Sequence, residues 1–182
     1  MIILALSVST IKQFMLDYFG LLLDMSRVGL GRQPKKENDL FYLCSLIDYT
    51  ARKTTNHRKI VVNAIGKERL AKIYDLADVY HCENIDKISD ELIEEFHIQP
   101  GDFDNVKACK YSVPSHWDIG KVYQRLITRV AKEEKRDVVD ILIEVYNSWI
   151  SDAIDNYNTA TYYSDSRWIF LSYMEGEPLK ED

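Results

Sequence analysis

Apolar residues recur along positions 137–158 at steps of three and four, more regularly than anywhere else in the chain. At about 100° per residue, Val138, Val139, Leu142, Val145, Tyr146, Trp149, Ile150, Ala153, Ile154 and Tyr157 cover roughly half of a helical cylinder. Asp137, Asp140, Glu144, Asn147, Ser148, Ser151, Asp152 and Asp155 take the other half. That division predicts one long helix with one flank in a core and the other in water. An apolar arc so broad is wider than a single neighbour covers, so two or more helices should pack on it.

A second run, Ile119, Val122, Tyr123, Leu126, Ile127 and Val130, predicts a helix over 115–132. Ser115 is its expected N-cap, and Asp118 favours the positive end of its dipole. The short charged stretch 131–136 should fold this helix back on 137–158 as an antiparallel hairpin. Upstream, Ile11, Phe14, Met15, Tyr18, Leu21, Leu22 and Met25 predict a helix over 9–28, ended by Gly29, Gly31 and Pro34. A helix over 39–52 follows, capped by Asn38 or Asp39, with Leu40, Leu43, Cys44 and Ile47 inward. Residues 59–65 suit a buried strand or a short helix equally; helix is favoured, with Gly66 stopping it and 67–80 resuming. Ile85, Ile88, Leu92 and Phe96 mark another helix, closed by Pro100 and Gly101.

Residues 102–114 have the weakest helical pattern. Val106, Cys109, Tyr111 and Val113 could be extended, but a lone strand has nothing to pair with, so an ordered loop is expected. Residues 168–174 form a last helix or an extended arm, and 175–182 a frayed tail. The expected fold is all-α: a single domain over 1–174, an irregular bundle of six or seven helices built around the hairpin of 115–132 and 137–158.

Composition adds bounds. The 182 residues are 46% hydrophobic and 29% charged, enough for one good core. The net charge of −6 disfavours nucleic acid as a partner. Cys44, Cys82 and Cys109 are odd in number and in no paired pattern, which reads as reduced thiols of a cytoplasmic protein. The apolar opening 1–8 is too short to span a bilayer and lacks the basic flank of a secretory signal, so no membrane association is expected.

The sharpest chemical candidate is the polar stripe Asp137, Asp140, Glu144, Ser151 and Asp155, whose spacing keeps several oxygens on one helix face. Hard cations want such oxygens converging. In an enzymatic reading, Asp137, Asp140 and Glu144 hold magnesium or manganese in a phosphohydrolase or pyrophosphohydrolase, with Glu91 and Glu94 as a second acidic half. A solvated helix face has the same pattern, and acids at 137 and 140 also favour the helix dipole. Outside that reading no metal or cofactor is expected. Zinc would want ligand pairs two to four apart, and the histidines at 57, 81, 97 and 116 form none with the cysteines.

Charge is uneven along the chain: basic residues dominate 32–72 and acidic ones 75–104. Arg52, Lys53, Arg58 and Lys59 would centre a nucleic-acid face, unless the two halves neutralise each other in the folded protein. Finally, Tyr157, Tyr162, Tyr163, Trp168, Phe170 and Tyr173 crowd the C-terminal quarter. They either complete the core or, if exposed, form a sticky patch centred on Trp168, Phe170 and Tyr173. With no specific catalytic signature, the leading expectation is a non-catalytic protein–protein interaction or regulatory module, dimeric through these aromatics.

Overall fold

Across the described residues the spacing of apolar residues resolves into helices. The computed structural model describes residues 35–179, and among them are nine α-helices, one 3-10 turn and no strand. In chain order the helices are α1 (Lys35–Lys53), α2 (Arg58–Asp75), α3 (Ala77–Tyr80), α4 (Ile85–Glu95) and α5 (Asn105–Ala108). They continue as α6 (His116–Glu134), α7 (Val138–Tyr146), α8 (Trp149–Asp155) and α9 (Ser166–Glu175), with the 3-10 turn Thr161–Tyr163 before α9. The chain is therefore an all-α bundle. The helix expected over 9–28 lies outside the described residues.

One hydrophobic cluster runs through the helices, including Leu43 and Ile47 of α1, Val61, Leu70 and Ile73 of α2, Ile127 of α6, Leu142 of α7 and Ile150 of α8. Helix α7 sits at its centre, packed against α2 on one side and α6 on another, as its broad apolar arc requires. Helices α1 and α6 approach backbone to backbone at Gly120: a Cβ there would stand 2.8 Å from the Ser45 amide nitrogen. Gly66 interrupts α2 at φ 74° and ψ 163°, a conformation only glycine adopts without strain, so the apolar face turns between its two halves.

The helix starts follow local chemistry. Ser115 and Asp118 form a capping box at α6, and Asp137 accepts from the Val139 and Asp140 amides at α7. The ends of α6 and α9 are set by left-handed residues, Lys135 at φ 54° and Gly176 at φ 80°.

Several expectations need correction. Helix α1 begins at Lys35 rather than near Asp39, because Lys35, Lys36 and Glu37 are themselves good helix formers. The loop 102–114 contains the single turn α5, capped by Asp104. Residues 168–174 belong to a helix, and beyond it the Leu179 amide still donates to the Ser172 hydroxyl at 3.1 Å.

The largest correction concerns 137–158, which is two helices and not one. Asn147 Nδ2 donates to the Ile143 carbonyl at 2.8 Å and Ser148 Oγ to the Val145 carbonyl at 2.7 Å. The Ile143 carbonyl accepts from both the amide and the side chain of Asn147, and the Val145 carbonyl that would serve Trp149 in a continuing helix is taken by Ser148. Ser148 itself turns extended at φ −93° and ψ 167°. Helix α8 restarts on a new axis. Ser151 and Asp155, expected in water, are 2% and 1% exposed.

Candidate functional site

Burial of Asp155 creates the most unusual feature of the described residues, a group of four charges inside the bundle. Asp48 and Arg52 lie one turn apart on α1, Arg58 opens α2, and Asp155 closes α8. Arg58 donates through Nε to Asp48 Oδ1 at 2.7 Å and also through Nη2, while its Nη1 stands 3.2 Å from Asp155 Oδ1. Arg52 Nε lies 2.6 Å from the other oxygen of Asp48. Two carboxylates thus face two guanidiniums, so the charges balance where desolvation would otherwise expel them.

Hydroxyls and carbonyls complete the network. Tyr157 Oη accepts from Arg52 Nη2 at 2.7 Å and from Arg58 Nη2, and Arg52 Nη1 donates to the Pro114 carbonyl at 2.8 Å. Tyr123 of α6 donates to Asp155 Oδ1 at 3.1 Å and shares a 2.8 Å bond with Ser151 Oγ. Burial pushes the Asp155 carboxyl up to about 6, with Arg58 pulling down and Asp48 pushing further up. Burial likewise raises the Tyr123 and Tyr157 phenols, which stay protonated and able to donate. The network joins α1, α2, α6, α8 and the two loops beside them.

Those loops carry the surface above it. The Asn105 amide donates to the Asp155 carbonyl at 2.9 Å, and Asn158 accepts from the Lys110 amide at 2.8 Å while donating to Ala108 at 3.1 Å. A cleft of about 440 Å³ opens between them, lined by Asp102, Phe103, Asp104, Asp152 and Asp155 among others. His57 stacks on Phe103 with ring centroids 3.6 Å apart, and burial lowers its pKa. Tyr157 and Asn158 also line a second hollow of about 250 Å³, walled by Tyr111, Tyr162 and Tyr163. Tyr162 and Tyr163, on their other side, line a third of about 260 Å³ with Arg125, Val122 and Ile169. Three hollows therefore adjoin: acidic, then tyrosine-walled, then beside a cation.

The residues singled out from the sequence fall elsewhere. Asp137 is a helix cap, Asp140 pairs with Lys67 at 2.6 Å, and Glu144 takes Arg136 through both oxygens. Each has its own partner, and among the described residues no three His, Cys, Asp or Glu side chains gather closely enough to hold a metal ion. Of the basic group, Arg58 is buried and Arg52 largely so; Lys53 pairs with Asp86 and Asp90, and Lys59 with Asp152 at 3.1 Å. The structure does not bring the four together on one open face. Phe170 is buried under Arg129, whose guanidinium lies 4.2 Å from the ring centroid, and Trp168 and Tyr173 are half-buried. That removes Phe170 from any exposed patch.

Asp48, Tyr123 and Tyr111 carried no functional weight in the sequence. A faint signal existed for Asp48, which stands four residues before Arg52 on a helix. Nothing local marks Tyr111.

No family model matches the chain, and comparison with the curated proteins and with the solved structures found no match.

Proposed function

We propose that this chain is a non-catalytic protein-interaction or regulatory module whose contact surface is the tyrosine-walled hollow. One observation carries the reading: Tyr111 and Tyr163, 70% and 69% exposed, stand on a single concave surface with Tyr157 and Tyr162. Tyrosine offers large, stiff area with a polar tip, and such side chains dominate the energetics of interfaces. The surface is also pre-organised. Tyr157 is pinned by two guanidiniums, and its ring meets Tyr162 at 5.6 Å, which in turn meets Tyr163 at 4.9 Å. Side chains already held in place lose little entropy on binding.

The contact surface thus moves from Trp168, Phe170 and Tyr173 to the tyrosines that precede them. A protein partner is proposed rather than nucleic acid, since the net charge is negative and the basic side chains of 52–59 are engaged by acids of the same chain. The three unpaired thiols, with Cys44 buried and its pKa pushed up to about 12, support a place in the reducing cytoplasm. No helix among the described residues is long and apolar enough to cross a membrane. The reading ranks ahead of a magnesium- or manganese-dependent phosphohydrolase because Asp137, Asp140 and Glu144 each answer a cap or a cation of their own.

The test is selection of random displayed peptides on the intact chain, followed by binding to a Tyr111→Ser, Tyr163→Ser variant. Both side chains lie outside the core, so the variant folds. The selected peptides should bind it more weakly by about tenfold or more. Peptides that bind both proteins equally would overturn the assignment of the surface.

A further inference from the structure

The three adjoining hollows have an order with a consequence for symmetry. The tyrosine-walled hollow lies in the middle, sharing Tyr157 and Asn158 with the acidic cleft and Tyr162 and Tyr163 with the hollow beside Arg125. A surface that is negative at one end, aromatic in the middle and positive at the other matches itself when rotated by half a turn about its middle. That is the requirement for an isologous interface between identical chains.

We propose that the occupant of the tyrosine hollow is a second copy of this chain, docked about a two-fold axis so that Arg125 of each copy enters the acidic cleft of the other. This rests on the interaction reading above and gives its partner an identity.

The groups involved are unspent. Among the described residues neither Arg125 nor Asp102 makes an ion pair or a side-chain hydrogen bond, and both are exposed. Lys36, Lys53, Lys67 and Arg136 are matched to acids of their own chain at 2.9 Å or less, whereas Arg125, like the exposed Lys72, Lys107, Lys110, Lys132, Lys135 and Arg167, is not matched among the described residues. What sets Arg125 apart is its place on the wall of a hollow that shares Tyr162 and Tyr163 with the tyrosine-walled one. Asp104 lies beside Asp102 in the cleft; one of its oxygens caps α5, which leaves the other for a visitor. Deeper in, Asp155 spends one oxygen on Tyr123 and Arg58 and lines the same cleft. A guanidinium suits this setting because its planar fork can bridge two carboxylates at once. Tyr111 and Tyr163 of the two copies would then meet near the axis and exclude water from both ion pairs. Charge at the ends fixes register, and the aromatics in the middle supply most of the affinity.

The experiment is sedimentation velocity of the full chain across a range of concentrations, comparing wild type with Arg125→Asp, Asp102→Arg and the double variant. Thermal melts check that each is folded. Wild type should dimerise. Each single variant sets like charges against each other twice per dimer and should weaken dimerisation by about tenfold or more. The double variant rebuilds the pair with reversed sign but keeps Asp104 in the cleft, so it should recover part of the lost affinity and dimerise more tightly than either single variant. A monomeric wild type at every concentration, single variants as dimeric as wild type, or a double variant no better than the singles would each overturn the proposal. A monomeric wild type whose selected peptides still need Tyr111 and Tyr163 would sink the second copy and leave the interaction surface standing. Peptides indifferent to those tyrosines would instead sink the surface itself.

Discussion

Glu144 and Asp155 belong to the same acidic stripe in the sequence, three helical turns apart, yet they end in opposite environments. Glu144 on α7 lies in solvent with Arg136 across both its oxygens, while Asp155 on α8 is 1% exposed and faces Arg58 and Tyr123. The two residues between the helices, Asn147 and Ser148, make the difference by bonding back to the preceding turn. A re-aimed helix turns a wet carboxylate into an internal one. Once inside, that carboxylate draws in a guanidinium, and the guanidinium draws in Asp48 and Tyr157. Acidic residues at helical spacing are therefore not equivalent, and their energetic weight should differ sharply.

The largest effect should come from the buried end. Replacing Arg58 by Met keeps most of the volume but leaves Asp48 and Asp155 as neighbouring carboxylates with only Arg52 to answer them. Breaking a buried pair in this way costs about 3–5 kcal/mol, read as a lower midpoint in urea unfolding. A midpoint within error of wild type would mean that the four charges do not hold the bundle together.

Next comes the pH dependence of Asp155. Its carboxyl is raised from 3.8 to about 6, chiefly by burial. The folded state therefore holds a proton there at a pH where the unfolded chain has lost it. The contribution of this group to stability is fully present below 3.8 and is lost as pH rises through about 6. The stability difference between wild type and Asp155→Asn should shrink by on the order of 3 kcal/mol across that window. Urea unfolding of both proteins at a series of pH values measures it, and parallel curves would show that Asp155 titrates as an ordinary surface acid.

How much of this could be read beforehand follows from the same comparison. Apolar periodicity carries the helical class, the core positions of α4, α6 and α7, and the break at Gly66, because a 3.6-residue repeat reports which side of a helix meets a core. It cannot report a change of axis. Asn147 and Ser148 are polar residues at polar positions, so the pattern runs through them undisturbed while their side chains end the helix. The burial of Arg58 was hidden for a related reason: its partners Asp48 and Asp155 come from ten residues before and far downstream, and pairing at that range leaves no local trace. Tyr111 shows the limit most plainly. Its surface exists because Asn105 and Asn158 tie the 102–114 loop to the end of α8 and the segment after it.

The smallest effect is expected at the wet end, and its smallness is the informative outcome. The Arg136 guanidinium holds the Glu144 carboxyl below its usual range. A depressed carboxyl adds stability above its unfolded pKa and loses it as pH falls through the folded value, opposite in sign to Asp155. With side chains 42% and 48% exposed, water and salt screen the attraction, and two long side chains lose freedom in forming it. Glu144→Gln should leave the urea midpoint unchanged near neutral pH, and any small loss should vanish as salt is raised. A loss that resisted salt would place Glu144 in the same class as Asp155, and the break at Asn147 would no longer divide structural carboxylates from solvated ones.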